Sequence, residues 1–159
     1  MIVLFRVDDR LLHGQVARSW TKQYRIQKIV IINNEIMNDE FSKMTLCLAK
    51  PQNVDLVFTD RENSKKLLQI LDETDERVMC IVNGFEDAMF VLPSLPAVCK
   101  VNVGGLRSKT REPGIVVNHL IVLDANDEQC VKELIEKGYQ LEVQQIPEEM
   151  PINLEDVIL

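Results

Sequence analysis

The chain has 159 residues, a formal net charge of −7 at pH 7 and a hydrophobic content of 46%. This length fits one domain spanning residues 1–159, and the acidic charge argues against a nucleic acid or an anionic lipid surface as partner. No apolar run approaches the roughly 20 residues that cross a bilayer, and we expect no signal peptide, because the first residues lack a basic region followed by a long apolar run and a cleavage site. We therefore expect a cytoplasmic protein without direct membrane insertion.

Short apolar runs alternate with helical patterns along the chain. The runs predict seven strands, at residues 2–7, 28–32, 54–58, 78–82, 98–103, 118–123 and 141–146. Of the helices between them, the second is predicted to be capped by Asn38, the third by a Thr59-x-x-Glu62 capping box, and the fifth to begin at Asn126 and close at Gly138. The tail, residues 151–159, is predicted to form a short helix. This alternation predicts an α/β protein with three layers, an open and mainly parallel sheet with helices on both faces, in a single domain.

Polar residues follow the predicted strands at one edge of this sheet. In open α/β sheets, ligands bind beyond the carboxyl ends of the strands. The segments at that edge are residues 8–13, 33–35, 59–61, 83–84 and 104–107. A doubly wound sheet brings them to one rim, so we expect the functional residues there.

The first of these segments carries the groups that phosphate chemistry needs. His13 supplies a neutral imidazole, a nucleophile near physiological pH that can hold a phosphoryl group. Arg10 lies three residues earlier and offers a fork of donors to phosphate oxygens. Gly14 permits close backbone approach at a helix start, where N–H groups lack partners. Asp8 or Asp9 is expected to hold Arg10 or the histidine ring, and the sequence leaves open which does which.

Several segments together resemble a known family. The run Arg6–Val16, RVDDRLLHGQV, with Trp20 a turn later, resembles the signature of the IIB component of the mannose/fructose/sorbose-type sugar phosphotransferase system (PTS). Asn102–Gly105 resembles the Asn-[Val/Ile]-Gly-Gly segment of that family. The stretch from Gly138 to Pro147 resembles its closing strand. The likeness extends over nearly the whole chain.

The resemblance implies a fold and an activity. It implies a mainly parallel seven-stranded sheet and a protein-Npi-phosphohistidine–sugar phosphotransferase that needs no cofactor, metal or nucleotide. His13 would accept phosphate from a phosphohistidine on the IIA protein and pass it to a sugar imported through the membrane components IIC and IID. Those membrane components would hold the protein at the inner face of the membrane. Arg10 would be the main phosphate ligand, with Asp8 and Arg6 as supporting residues.

Two other functions remain to be weighed from the residues alone. A receiver-like regulatory domain would be phosphorylated on aspartate, with Asp8, Asp9 and Asp60 holding Mg²⁺ and Lys109 completing the site. A non-enzymatic module would use the same rim to bind an anion. The basic stretch 107–111 either helps to hold phosphate or a partner, or is a solvated loop.

Other notable residues are expected to be structural. Trp20 is expected to pack between a helix and the sheet, and His119 to lie inside the strand predicted at 118–123. The four cysteines have no spacing typical of a zinc site and are expected to be small buried side chains, so we expect no bound metal: Cys47, Cys80, Cys99 and Cys130.

Overall fold

A computed structural model describes residues 1–107 and 114–158. The strands are β1 (Ile2–Asp8), β2 (Lys28–Ile32), β3 (Asp55–Thr59), β4 (Val78–Val82), β5 (Lys100–Gly105), β6 (Ile115–Asn118), β7 (Ile121–Leu123), β8 (Gln140–Val143) and β9 (Ile152–Asn153). The helices are α1 (Gly14–Tyr24), α2 (Glu40–Ala49), α3 (Arg61–Asp72), α4 (Phe85–Val91), α5 (Ala125–Glu136) and α6 (Leu154–Ile158), with two short 3₁₀ helices at Glu35–Asn38 and Leu92–Ser94.

Seven strands form the main sheet in the order β3-β2-β4-β1-β5-β8-β9. Every neighbouring pair is parallel except β8 and β9, which run antiparallel. β4 and the first four residues of β1 are consecutive apolar residues, which is typical of strands with both faces covered by helices. The predicted open, mainly parallel seven-stranded sheet is confirmed.

Two apolar clusters cover the two faces of the sheet and confirm the three-layer arrangement. On one face, α1 and α2 pack through Val16, Trp20 and Leu46. On the other face, the apolar side chains of α3, α4, α5 and α6 pack against the alternate residues of the same strands. Successive residues of a strand point to opposite faces, which is why Ile29 and Ile31 join the first cluster and Val30 joins the second.

The prediction of a single strand at 118–123 is wrong. Residues 115–123 form the hairpin β6–β7, outside the main sheet, and the predicted strand covers the end of β6, the turn and β7. The side chain of Asn118 accepts hydrogen bonds from the backbone N–H groups of Leu120 (2.8 Å) and Ile121 (2.9 Å), which closes a turn in the middle of the predicted strand. His119 lies exposed in that turn rather than inside a strand. The seventh position in the sheet is taken by β9, in the tail predicted to be helical, and α6 follows it.

The predicted helix caps are displaced by one or two residues. Asp39 caps α2 instead of Asn38, because its carboxylate accepts from the backbone N–H of Ser42 at 3.0 Å. Asp60 caps α3 in place of the Thr59 capping box, and Asp124 caps α5 two residues before Asn126. Gly138 follows the end of α5 with a positive φ of 93°, as predicted for a residue that closes a helix.

The cysteines are only partly as predicted. Cys80 and Cys130 are buried, whereas Cys47 and Cys99 are exposed. Among the described residues, no helix is both long and apolar enough to cross a bilayer.

Candidate functional site

The loop after β1 lies at the centre of the sheet, between the ends of β4 and β5. The chain leaves β1 toward α1 on one face, whereas the helices that follow β4 and β5 pack on the other face. Such a change of side between neighbouring strands opens a crevice at their carboxyl ends. The loop itself turns tightly, because Leu11 has a positive φ of 58° and its N–H donates to the Asp8 carbonyl at 2.9 Å.

Asp8 binds two arginines at this point. Its carboxylate accepts from the backbone N–H, Nε and Nη2 of Arg10 and from Nη2 of Arg6, each at 3.0 Å. Asp8 is fully buried, so its charge depends on these partners for compensation. Two guanidinium groups around one carboxylate leave a local excess of one positive charge. We call these three residues the Arg6–Asp8–Arg10 network.

Arg6 is the buried member of this network. Its Nη1 donates to the side chain of Asn102 and to the Gln144 carbonyl (3.1 Å), and its guanidinium lies 5.6 Å from the centre of the Trp20 ring. Burial lowers the pKa of Arg6, while the Asp8 carboxylate acts in the opposite direction. All of these partners hold the guanidinium below the rim, so Arg6 supports the loop from inside.

Arg10 is the member that reaches solvent. Its side chain is 18% exposed, compared with 1% for Arg6. The hydrogen bonds to Asp8 raise the pKa of Arg10 more than partial burial lowers it. Since Asp8 engages Nε and Nη2, the Nη1 end of the fork is left without a protein partner in the described part of the chain. The guanidinium is thus oriented and still has donors for an anion.

Asp9 has a different set of contacts from Asp8. Its Oδ2 accepts from the backbone N–H of Arg107 at 2.9 Å and from Nε of the same residue at 3.2 Å. Its own N–H donates to the Gly105 carbonyl. Asp9 therefore ties the first loop to the segment after β5, while Asp8 holds the arginines. Of the basic stretch 107–111, the structure describes only Arg107, and Lys109 lies outside the described residues.

His13 stands at the N-terminus of α1. It is exposed, has an extended backbone (φ −117°, ψ 121°), and accepts a hydrogen bond from Ala17 N–H through its carbonyl (2.8 Å). Its side chain does not cap the helix, and the first turn of α1 carries no acidic residue. Gly14 follows, half-buried beside the end of α2. The imidazole is accessible next to a helix terminus that favours negative charge.

The loops after the strands share one rim, as predicted. The loops after β2 and β3 meet where the Asn34 side chain accepts from the N–H of Arg61 at 2.9 Å. Arg61 in turn binds Asp87 on α4, after β4. A polar cavity of about 270 Å³ on the α4–α5 side of this rim is lined by residues that include Asn83 and Arg107.

The predicted site residues fall into three groups. Arg6, Asp8 and Arg10 form one network, Asp9 joins Arg107, and His13 with Gly14 begins α1. Three groups that contact Arg6 were not predicted from the sequence: the Asn102 side chain, the Gln144 carbonyl and the ring of Trp20. The first belongs to the Asn-Val-Gly-Gly segment and the third to the motif, yet neither pattern reveals a contact with Arg6.

The residues of the receiver-like hypothesis are not brought together as an acidic pocket. Asp8 is occupied by two arginines and Asp60 caps α3, accepting from Asn63 N–H at 2.7 Å. Within residues 1–107 and 114–158, no group of three or more His, Cys, Asp or Glu side chains is placed to hold a metal ion.

The fold and the site together define a doubly wound α/β domain with an accessible histidine and an oriented arginine at its switch point. The sequence pattern of the PTS system sorbose subfamily IIB component matches residues 2–159. The chain therefore belongs to this family and is a IIB component of a sugar phosphotransferase system.

Individual relatives agree with this assignment. The chain is 36% identical over 138 residues to a probable phosphotransferase enzyme IIB component of Streptococcus pyogenes, with 85% of each chain covered. It is 29% identical to the mannose-specific EIIAB component of Escherichia coli, matching 99% of this chain and 48% of that protein. Among solved structures, the IIBSor domain of the sorbose permease from Klebsiella pneumoniae has a TM-score of 0.89 at 27% identity, with 99% of this chain and 96% of that chain covered.

Proposed function

We propose that this protein is a phosphocarrier that uses His13 as its phosphorylated residue. In the first step, His13 accepts a phosphoryl group from a phosphohistidine on the IIA protein. In the second, the group passes from His13 to a sugar that the membrane components IIC and IID import. The observation that carries this proposal is the exposed imidazole at the start of α1, three residues beyond an arginine that Asp8 holds in place.

The chemistry in each step is an in-line exchange of one bond to phosphorus for another. In the first step, a ring nitrogen of His13 attacks phosphorus as the bond to the nitrogen of the donor breaks. In the second, His13 is the leaving group and a sugar hydroxyl is the nucleophile. Such transfers need positioning and charge stabilisation more than covalent work from the protein.

The proposed roles follow from the contacts. Arg10 binds phosphate oxygens through its solvent-facing end, and Gly14 lets the backbone at the start of α1 approach the phosphoryl group. Arg6 and Asp8 support Arg10, and Asp9 supports the loop through Arg107. Transfer by these residues uses no metal or cofactor, and residues 1–159 act as one IIB domain.

The location and partners follow from the same proposal. The protein works in the cytoplasm, at the inner face of the membrane, where IIC and IID hold it. The relative named as an EIIAB component matches this chain over only 48% of its own length. A IIA unit joined to the IIB unit in that protein agrees with IIA as the phosphate donor here.

The two histidines of the chain provide a matched test. We expect His13→Ala to abolish phosphate acceptance from phosphorylated IIA, because the nucleophile is removed from an exposed position. His119→Ala, in the exposed turn between β6 and β7, is expected to accept phosphate at the wild-type rate. The measurement is incorporation of ³²P by each variant. Full incorporation by His13→Ala would refute the proposal.

A further inference from the structure

The junction between β1 and β5 contains an irregularity beside the Arg6–Asp8–Arg10 network. The paired residues are Arg6 with Asn102, Val7 with Val103 and Asp8 with Gly105. One residue of β5 is therefore passed over without a partner on β1. Such a bulge re-aims the positions around it.

At the bulge, both glycines of β5 face the charged network. A side chain at Gly104 would overlap the guanidinium of Arg6. A Cβ at Gly105 would lie 2.8 Å from Asp8 Oδ1 and 3.1 Å from both Nε and Nη2 of Arg10. Neither glycine has a positive φ. Space, and not backbone conformation, therefore excludes a side chain at these two positions.

We propose that Gly105 is a positioning residue for Arg10. The space left by its missing side chain is where the Asp8 carboxylate meets the Nε and Nη2 atoms of Arg10. This inference rests on the proposed function, because it matters for transfer only if Arg10 binds the phosphoryl group. Asn102 also supports this network, because its side chain accepts a hydrogen bond from Nη1 of Arg6.

An added methyl group at Gly105 would be closest to Asp8 Oδ1, the atom that accepts from the backbone N–H and Nε of Arg10, so it acts on Arg10 both directly and through that oxygen. Asp8 is buried, belongs to β1 and is held by Arg6 at 3.0 Å. Arg10 lies in the loop and is partly exposed, so its guanidinium changes position when that oxygen is displaced. Gly104 is a poorer choice for a test, because its neighbour is a fully buried arginine that has no room to move.

A double-mutant cycle tests the proposal. Gly105→Ala is made in the wild-type chain and in Arg10→Ala, and single-turnover transfer from phosphorylated IIA to His13 is timed. Misplacement of a catalytic group by about 1 Å can cost roughly 100-fold, so we expect a loss of about 10- to 100-fold in the wild-type chain. In the Arg10→Ala chain the same change should cost less than about threefold, because its target is absent. Equal losses in both chains, or no loss in either, would overturn the proposal.

Gly84→Ala is the matched control. Gly84 follows the neighbouring strand β4, is extended (φ −167°), and an added Cβ would meet nothing within 4 Å. It should transfer phosphate as the wild-type chain does. Thermal unfolding establishes that each variant folds, and a Gly105→Ala chain that does not fold would show that this residue supports the strand and would refute a positioning role.

A second readout separates this proposal from the proposed function. The Nε–H of Arg10 donates to Asp8, so its NMR signal reports the geometry of that pair without any phosphate. Gly105→Ala should shift this signal, and Gly84→Ala should not. If the wild-type chain never takes phosphate on His13, the proposed function fails, and an unshifted Arg10 signal would independently overturn the positioning role.

Discussion

At the scale of single residues, the two arginines of the site have different roles. Arg6 is buried against the ring of Trp20, and its guanidinium donates hydrogen bonds to Asn102, Gln144 and Asp8. Arg10 shares the Asp8 carboxylate but keeps one end toward solvent. The network therefore presents a positive group of fixed orientation in a chain whose net charge is −7. A fixed donor loses little freedom when it binds an anion, which is how preorganised sites stabilise developing charge.

Replacement of Arg10 by lysine tests whether the fork matters as well as the charge. Lysine is a point charge and cannot make the paired contact with Asp8 through Nε and Nη2. We expect Arg10→Lys to slow single-turnover transfer to His13 by about 10- to 100-fold, less than the roughly 100- to 1,000-fold for complete loss of an oriented donor, because lysine keeps the positive charge. Arg18→Lys, on the exposed side of α1, is the control and should have no effect. An unchanged rate in Arg10→Lys would contradict the proposed role of the guanidinium.

At the scale of elements, the sequence is most informative where strands are buried on both faces. The predictions for β2 and β4 match the structure residue for residue, because nearly continuous apolar runs are typical of parallel strands that are buried on both faces. The prediction at 118–123 fails because an Asn side chain interrupts an equally apolar run with a turn. Apolar pattern alone does not distinguish one long strand from two short antiparallel ones.

Helix caps are the second limit of sequence reasoning at this scale. Polar residues occur in clusters before α2, α3 and α5, and several members of each cluster are able to cap. Which one does so depends on where the preceding strand or 3₁₀ helix ends. In the candidate site, His13, Arg10 and Asp8 were found from the motif, whereas the contacts of Asn102 and Trp20 with Arg6 required the folded chain. The first contact joins residues 96 positions apart and the second joins a strand to a helix, which no local pattern records.

The cap of α3 provides a direct test at this scale. Asp60 accepts from the backbone N–H of Asn63 at 2.7 Å, so Asp60→Ala should lower the free energy of unfolding by about 1 kcal/mol. Glu62 is exposed and forms no capping box with Thr59, so Glu62→Ala should change it by less than about 0.5 kcal/mol. Urea unfolding measures both. A larger loss of stability in Glu62→Ala than in Asp60→Ala would contradict the Asp60 cap and support the capping box that the sequence predicts.

The start of α5 should make stability depend on pH. Burial and the neighbouring Asp124 and Glu86 carboxylates raise the pKa of Asp127 from 3.8 to about 6. A raised pKa means that the folded chain disfavours the ionised form, so stability falls as pH rises from about 4 through 6. Asp127→Asn should therefore stabilise the protein at pH 7, on the order of 1 kcal/mol after allowance for solvent screening, and have little effect at pH 4.

Asp39 provides a control for that experiment, because its pKa is shifted in the opposite direction. Hydrogen bonds from Ser42 lower the pKa of Asp39, so its contribution to stability is present at neutral pH and is lost in acid. Asp39→Asn should therefore destabilise at pH 7 and have less effect at low pH. Urea unfolding at pH 4 and pH 7 measures Asp127→Asn, and unfolding at about pH 2 and at pH 7 measures Asp39→Asn, because the Asp39 contribution is lost only below its ordinary pKa of 3.8. An equal response of Asp127→Asn at the two pH values would contradict the raised pKa.

At the scale of the whole molecule, the winding of the sheet explains why the site lies where it does. β1 is central, and the chain leaves it for α1 while its neighbours β4 and β5 lead to helices on the opposite face. The first loop therefore opens into a crevice, with the segments after β2, β3, β4 and β5 around it. The IIB family to which the chain belongs has the same overall fold in the sorbose permease domain.

Phosphorylation of His13 is tested most directly by locating the phosphate on the wild-type protein. IIA that has been phosphorylated and separated from its own donor is mixed with this chain in excess chelator, and the labelled residue is found by mass spectrometry under mildly alkaline conditions. We expect one phosphoryl group on His13, stable in base and lost in acid. Label on Asp8, Asp9 or Asp60, or transfer that requires Mg²⁺, would contradict it.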